Sequence, residues 1–187
     1  MDLRPTALPG CTIVATRTLG DVRGSFAKTF HADTFAAAGL RTDWREEYHS
    51  SSRAGVIRGM HFQTPPADHA KLVYCLAGEV LDVVVDLRVG SPTYRHVLAE
   101  TLSAANGLGL YVPSGCAHGF AAIADNSVML YKVTSVHTPE CDAGIAWDTI
   151  GFDWPVATPL LSERDRAHPS LADFASPFRF DAQDPFR

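Results

Sequence analysis

The chain has no run of lysines or arginines, no paired cysteines and no long apolar stretch. Its 16 Lys and Arg stand against 21 Asp and Glu, a formal charge of -5. A dispersed acidic balance does not supply the clustered basic face that nucleic acid or an anionic membrane demands, so neither is an expected partner. Cys11, Cys75, Cys116 and Cys141 lie far apart without a Cys-x-x-Cys pair. That excludes a zinc knuckle or a disulfide-stapled scaffold and leaves four reduced, mostly packed thiols. Apolar stretches such as Val80 to Leu87 are too short to span a bilayer, and Met1-Asp-Leu-Arg-Pro-Thr6 lacks the basic end and apolar run of a signal peptide. The expected location is cytoplasmic.

What is present is an ordinary globular composition. Hydrophobic residues make up 46% and charged residues 20% of 187, enough chain for one domain that buries roughly 70% of its unfolded surface. We expect a single unit over residues 1–187, with a barrel core at about 45–155 and a C-terminal wrap at 156–187.

The apolar period is two. In Leu81-Asp-Val-Val-Val-Asp-Leu87, residues Leu81, Val83, Val85 and Leu87 share one face and Asp82, Val84 and Asp86 the other, as in a half-buried strand. Further β-prone runs lie at 11–16, 24–30, 71–76, 96–102, 108–112, 119–122 and 128–134, parted by turn signals such as Ala77-Gly-Glu79 and Ala104-Ala-Asn-Gly107. This spacing predicts an all-β sandwich or barrel. Helix is minor: Ala32–Ala38, capped by Asp33 or Thr34 and ended at Gly39, and a short turn near Ser162–Ala167 before Pro169.

Two of the eight histidines sit in glycine-framed segments. The cupin motifs are Gly-x5-His-x-His followed by Glu, and Gly-x5-Pro-x-Gly-x2-His. Gly55 and His61 match the first, but Gln63 replaces its second His and no Glu follows within four residues; Gly107, Pro113, Gly115 and His118 meet the second in full. The chain therefore resembles a cupin jelly roll, a double-stranded β-helix, with a few short peripheral helices. Two imidazoles and an amide are a poor set for a metal that needs three or more defined ligands, so no catalytic metal is expected. His31, His49, His69, His96, His137 and His168 carry no local pattern and read as surface or structural residues.

A histidine free of metal suits proton transfer, because imidazole titrates near pH 6.5. Removing a carbon-bound proton beside a ketone also needs a partner for the base, a cation or donor for the enolate, and an acid to return the proton. Lys71, at a strand start, shares a face with Val73 and Cys75 and can point into a barrel; a solvated strand-end lysine is the equal alternative. Tyr131 can supply the acid, with a core tyrosine as the equal alternative. Spacing alone makes Asp165 a surface charge.

Several blocks in order carry a closer resemblance: Gly20-Asp-Val-Arg-Gly24, Arg58-Gly-Met-His61-Phe-Gln63, Lys71-Leu-Val73, Gly78 to Arg88, Val112 to Phe120, Leu130-Tyr-Lys132, Gly151-Phe-Asp-Trp-Pro155 and Leu161-Ser-Glu-Arg-Asp165. Together they resemble the dTDP-4-dehydrorhamnose 3,5-epimerase family. The resemblance implies a cofactor-free isomerase acting on a nucleotide-linked 4-keto-6-deoxyhexose. It assigns His61 as base, Asp165 as its partner, Tyr131 as acid and Lys71 as the group near the C4 keto oxygen. Gln63 and His118 would line the pocket, and Arg23 and Arg58 would contact the diphosphate. It also implies a homodimer in which an N-terminal segment adds to the partner's sheet.

The chain departs from the family at Lys28, where Glu is frequent, at Tyr48, at Tyr74 and at Tyr111. Lys28, Tyr48 and Tyr74 are expected to border the nucleotide. A mono-epimerase on a CDP-, GDP- or UDP-sugar is therefore one alternative. A non-catalytic or metal-dependent sugar-binding cupin is another.

Overall fold

The computed structural model describes residues 1–186; Arg187, the last residue of the expected wrap, lies outside them. The strands are β1 (Asp2–Pro5), β2 (Thr12–Ala15), β3 (Thr18–Asp21), β4 (Gly24–Ala27), β5 (Glu46–Ser52), β6 (Ile57–Gln63), β7 (Lys71–Ala77), β8 (Glu79–Asp86), β9 (Val97–Ser103), β10 (Leu108–Val112), β11 (Cys116–Ala122), β12 (Ser127–Val133) and β13 (Asp142–Gly144). Helices α1 (Ala32–Ala37) and α2 (Glu163–Arg166) are both short. Two antiparallel sheets, ordered β1-β2-β10-β7-β12-β5 and β13-β6-β11-β8-β9, make the jelly roll, and β3 and β4 form a separate hairpin.

Three apolar layers hold this together. Between the sheets lie Val73, Cys75, Val80, Val84, Leu110, Phe120, Met129 and Tyr131. Behind the β8 sheet, Met60, Phe62, Val83, Val85 and Leu87 pack under Ile150, Leu171 and Phe178 of the C-terminal segment. Behind the other sheet, Leu72, Tyr74 and Tyr111 pack against Phe35 of α1. Strand β8 is thus buried on both faces, which corrects the half-buried reading: the C-terminal segment covers its Val83, Val85 and Leu87 face, and the Asp82, Val84 and Asp86 face, which period two alone would leave to solvent, is buried inside the barrel. Burying each such Val, Leu or Phe contributes roughly 1.5–3 kcal/mol, so the wrap stabilises the sheet it covers.

Two local features place the site. Across the β6–β11 ladder His118 pairs with His61, but Phe120 pairs with Arg58, so three residues of β6 span two of β11. This bulge turns Arg58 and His61, an odd offset apart, toward the same cavity. Gly59, at φ 147°, permits it, because a Cβ there would come within 2.6 Å of the Gly119 Cα. Second, Leu160 bonds to both Gly55 and Ile57 at the start of β6, which brings α2 beside that strand. Ser162 caps α2, its Oγ accepting from the Asp165 N–H at 3.1 Å, and so fixes the aspartate.

At α1 the cap is His31, whose Nδ1 accepts from the Thr34 N–H at 3.4 Å, and not Asp33 or Thr34. Those two residues already lie inside the helix. Gly39, at φ 78°, ends it as expected.

Candidate active site

A cavity of about 430 Å³ opens between the sheets, lined by Glu46, Tyr48, Ser50, Arg58, His61, Gln63, His69, Lys71, His118, Tyr131, His137, Asp142 and Arg164 among others. Strand β6 supplies Arg58 and His61, β7 supplies Lys71, β11 His118, and β12 Tyr131. Asp165 stands behind His61.

His61 Nε2 bonds Asp165 Oδ1 at 2.6 Å, which leaves Nδ1 as the nitrogen free to take a proton. Burial, the largest influence, pulls the imidazole below its ordinary value, against the Asp165 bond that raises it. His61 is therefore neutral at pH 7 and able to accept. Burial pushes the Asp165 carboxyl up, but bonds from His61 and Ser162 outweigh it and hold the group below the usual carboxylate range.

Lys71 is buried, and its Nζ donates to the His61 carbonyl at 3.0 Å. This removes the solvated-lysine alternative. Burial brings its ammonium down to about 8, so the cation persists at neutral pH. Tyr131 is buried, its hydroxyl 3.3 Å from Ser50 Oγ, and burial pushes the phenol well above its ordinary value. A phenol held in the acid form suits an acid. Tyr48, its register partner on β5, stacks on the Tyr131 ring with centroids 4.9 Å apart at 17°. Arg58 donates to Ser52 Oγ at 3.0 Å and to the Ser51 carbonyl at 3.1 Å, which directs its guanidinium along the cavity wall.

The other expected residues sort differently. Gln63 borders the cavity, but its amide nitrogen reaches the carbonyls of Ala67 and Val136 and its Oε1 accepts from the Thr138 N–H, pinning the loop after β12. Arg23 and Lys28 do not reach the cavity: Arg23 is exposed on the β3–β4 hairpin, bonded to Asp21, and Lys28 is exposed just beyond β4. Tyr74 lies in the outer layer, its hydroxyl bonded to the Thr29 carbonyl at 2.6 Å, because β7 alternation turns it away from Lys71 and Val73. It does not border the pocket as expected.

Sequence reasoning missed Asp82, which accepts from His118 Nε2 at 2.8 Å and is fully buried. It also missed the rim pair Arg164–Asp142, at 2.7 Å, and two histidines read as bland. His69 lines the cavity, pulled down to about 3 by burial, and His168 packs against His61. Their only signal is three-dimensional.

At the cupin metal positions His61 and His118 each bond an aspartate through Nε2, and Gln63 bonds a loop. Among the described residues, the closest set of metal-donor types is His61, Asp165 and His168, with one ligand atom each within 4.8 Å of one another. Its 2.6 Å edge is a hydrogen bond, shorter than the ~3.3 Å between two ligands of a tetrahedral zinc ion. The arrangement suits a shared proton.

Comparisons with known proteins identify the family. The family model described as dTDP-4-dehydrorhamnose 3,5-epimerase matches residues 5–173. A dTDP-4-dehydrorhamnose 3,5-epimerase of Sinorhizobium fredii is 41% identical over 90% of this chain and 88% of its own length. A dTDP-4-dehydrorhamnose 3-epimerase of Streptomyces niveus is 38% identical over 92% of this chain and 85% of its own. The crystal structure of a Legionella pneumophila dTDP-6-deoxy-D-glucose-3,5-epimerase in complex with dTDP-4-keto-L-rhamnose superposes with a TM-score of 0.92 at 32% identity, covering 97% of this chain and 99% of that one. By its matched length and its barrel, this chain belongs to the dTDP-4-dehydrorhamnose 3,5-epimerase family.

Proposed function

We propose that this protein is an isomerase that epimerises a dTDP-linked 4-keto-6-deoxyhexose at C3, C5 or both. The observation that carries the reading is the His61–Asp165 pair at the cavity wall, with a neutral imidazole whose Nδ1 is free. The proton alpha to the ketone passes to Nδ1, and the C–H electron pair moves into the C4 oxygen as an enolate. Asp165 stabilises the resulting imidazolium. The Lys71 ammonium holds the enolate charge. Tyr131 then gives its hydroxyl proton to the opposite face of the carbon, and solvent restores both side chains. His118 and Tyr48 line the sugar's path, and Arg58 binds the diphosphate.

Arg23 and Lys28 act, on this reading, from the second subunit of a homodimer. The β3–β4 hairpin supports it: Leu19 is 51% and Phe26 63% exposed at its surface, an apolar edge that a partner would cover. No helix among the described residues is long and apolar enough to cross a membrane, and we assign the protein to the cytoplasm, where activated sugars are made.

Proton NMR in deuterated water tests the function. With dTDP-4-keto-6-deoxyglucose the expected result is deuterium at C3, C5 or both; CDP, GDP and UDP counterparts, run beside it, should exchange at least tenfold more slowly. No exchange at any carbon would refute the assignment.

A further inference from the structure

His168 carries no sequence pattern, yet it completes the back of the dyad. Its ring lies edge-on to His61, with centroids 5.6 Å apart at 70°. Its Nε2 stands 3.9 Å from Asp165 Oδ1, the oxygen that His61 already bonds. The side chain is only 10% exposed, and Nε2 is buried without a hydrogen-bond partner. Gly144, which pairs with His61 across β13 and β6, makes the room: a Cβ there would come within 2.5 Å of that nitrogen.

A buried nitrogen without a partner destabilises the fold, and an apolar ring would fill the same space without that penalty. A polar atom kept at such a cost beside a reacting group points to another state in which it is bonded. Hydrogen bonds among catalytic groups are often long in the free enzyme and tighten with substrate.

Resting on the assignment of His61 as base, we propose that His168 is a positioning residue that donates from Nε2–H to Asp165 Oδ1 once substrate is bound. Burial, and after it Arg164, hold the His168 imidazole below its ordinary value, so it donates as a neutral ring. The charged groups facing the two histidines are Asp165 and Arg164 from α2, Asp142 from β13 and Lys71 from β7. Arg164 is bonded to Asp142 at 2.7 Å, which leaves Asp165 to the two histidines. A second donor on Oδ1 fixes the direction of that carboxylate and takes up part of its charge. His61 is then held in place without becoming so basic that it stays protonated at neutral pH.

Three proteins decide this: wild type, His168→Phe and His168→Gln, compared by kcat, KM, the acid limb of kcat and melting temperature. The Phe variant should melt higher, lose about tenfold in kcat with KM within about twofold, and show an acid limb moved to higher pH. The Gln variant, which keeps a donor without the ring, should recover kcat to within about threefold and restore the limb. Wild-type kcat and limb in the Phe variant would overturn the proposal. So would a Gln variant no better than Phe, or a Phe variant that loses melting temperature and kcat together. Failure of the underlying assignment would show separately, as exchange that survives in His61→Ala.

Discussion

His61 and His118 face each other across the β6–β11 ladder, and each is bonded through Nε2 to an aspartate, at 2.6 Å for Asp165 and 2.8 Å for Asp82. Their surroundings differ. The His61 side chain is 27% exposed and its aspartate comes from a capped helix outside the barrel; the His118 side chain is 3% exposed and its aspartate stands on β8 inside it. His118 also meets the ring of Tyr131 edge-on, with centroids 6.1 Å apart. Both histidines line the cavity, but His61 is the more open to it and is assigned to proton abstraction, whereas the nearly buried His118–Asp82 pair sits on the sheet opposite the acid. A His–Asp bond does not by itself make a base; access to a substrate does.

The contrast can be broken most severely at the open pair. His61→Ala should lower deuterium exchange at the sugar carbons by about 10³-fold or more while melting within a few degrees of wild type. Exchange at the wild-type rate would return His61 to a structural role. Tyr131→Phe should separate the two faces of the reaction. Net epimerisation should fall by about 10²-fold, while exchange with retention, driven by His61, falls by less than tenfold. Equal loss of both would remove Tyr131 as the acid of the opposite face.

A smaller effect is expected from pH. The profile of kcat/KM reports the free enzyme. His61 must be neutral, and its pKa is lowered from 6.5, so activity should persist below pH 6.5 and fall on further acidification. Lys71 must be charged, and burial brings it to about 8, so activity should fall as pH rises through that value. Lys71→Met should abolish the basic limb in whatever activity remains. A limb that stays would place it on another group.

Much of this frame was legible in the chain. Strand β10 falls where its apolar run lies, β7, β9 and β12 within a residue of theirs, and α2 falls within the short turn expected at Ser162–Ala167. Of the strands that escaped notice, β1, β3 and β13 are only three or four residues long, and β5 and β6 do not show a clear period of two. Strand β6 hides it behind the bulge at Gly59, and β5, Glu46 to Ser52, is polar on both faces. Lys71 and Tyr131 were ambiguous because alternation gives the side of a strand and not what stands opposite. Asp82 reads as the solvent face of a half-buried strand, but that face turns into the barrel, where it meets His118. His168 depends on a contact with His61 more than a hundred residues away in the chain, and the hydrogen bonds of Leu160 that create it have no side-chain signature.

The difference between the two pairs is tested most directly by Asp165→Ala and Asp82→Ala, with solvent exchange and urea unfolding measured on the same preparations. The account predicts a double dissociation. Asp165→Ala loses about 10²-fold in exchange and little stability, whereas Asp82→Ala leaves His118 buried and unpaired, loses about 3 kcal/mol of stability and less than tenfold in exchange. Greater loss of exchange in Asp82→Ala than in Asp165→Ala, in protein shown to be folded, would contradict it and move the base to His118.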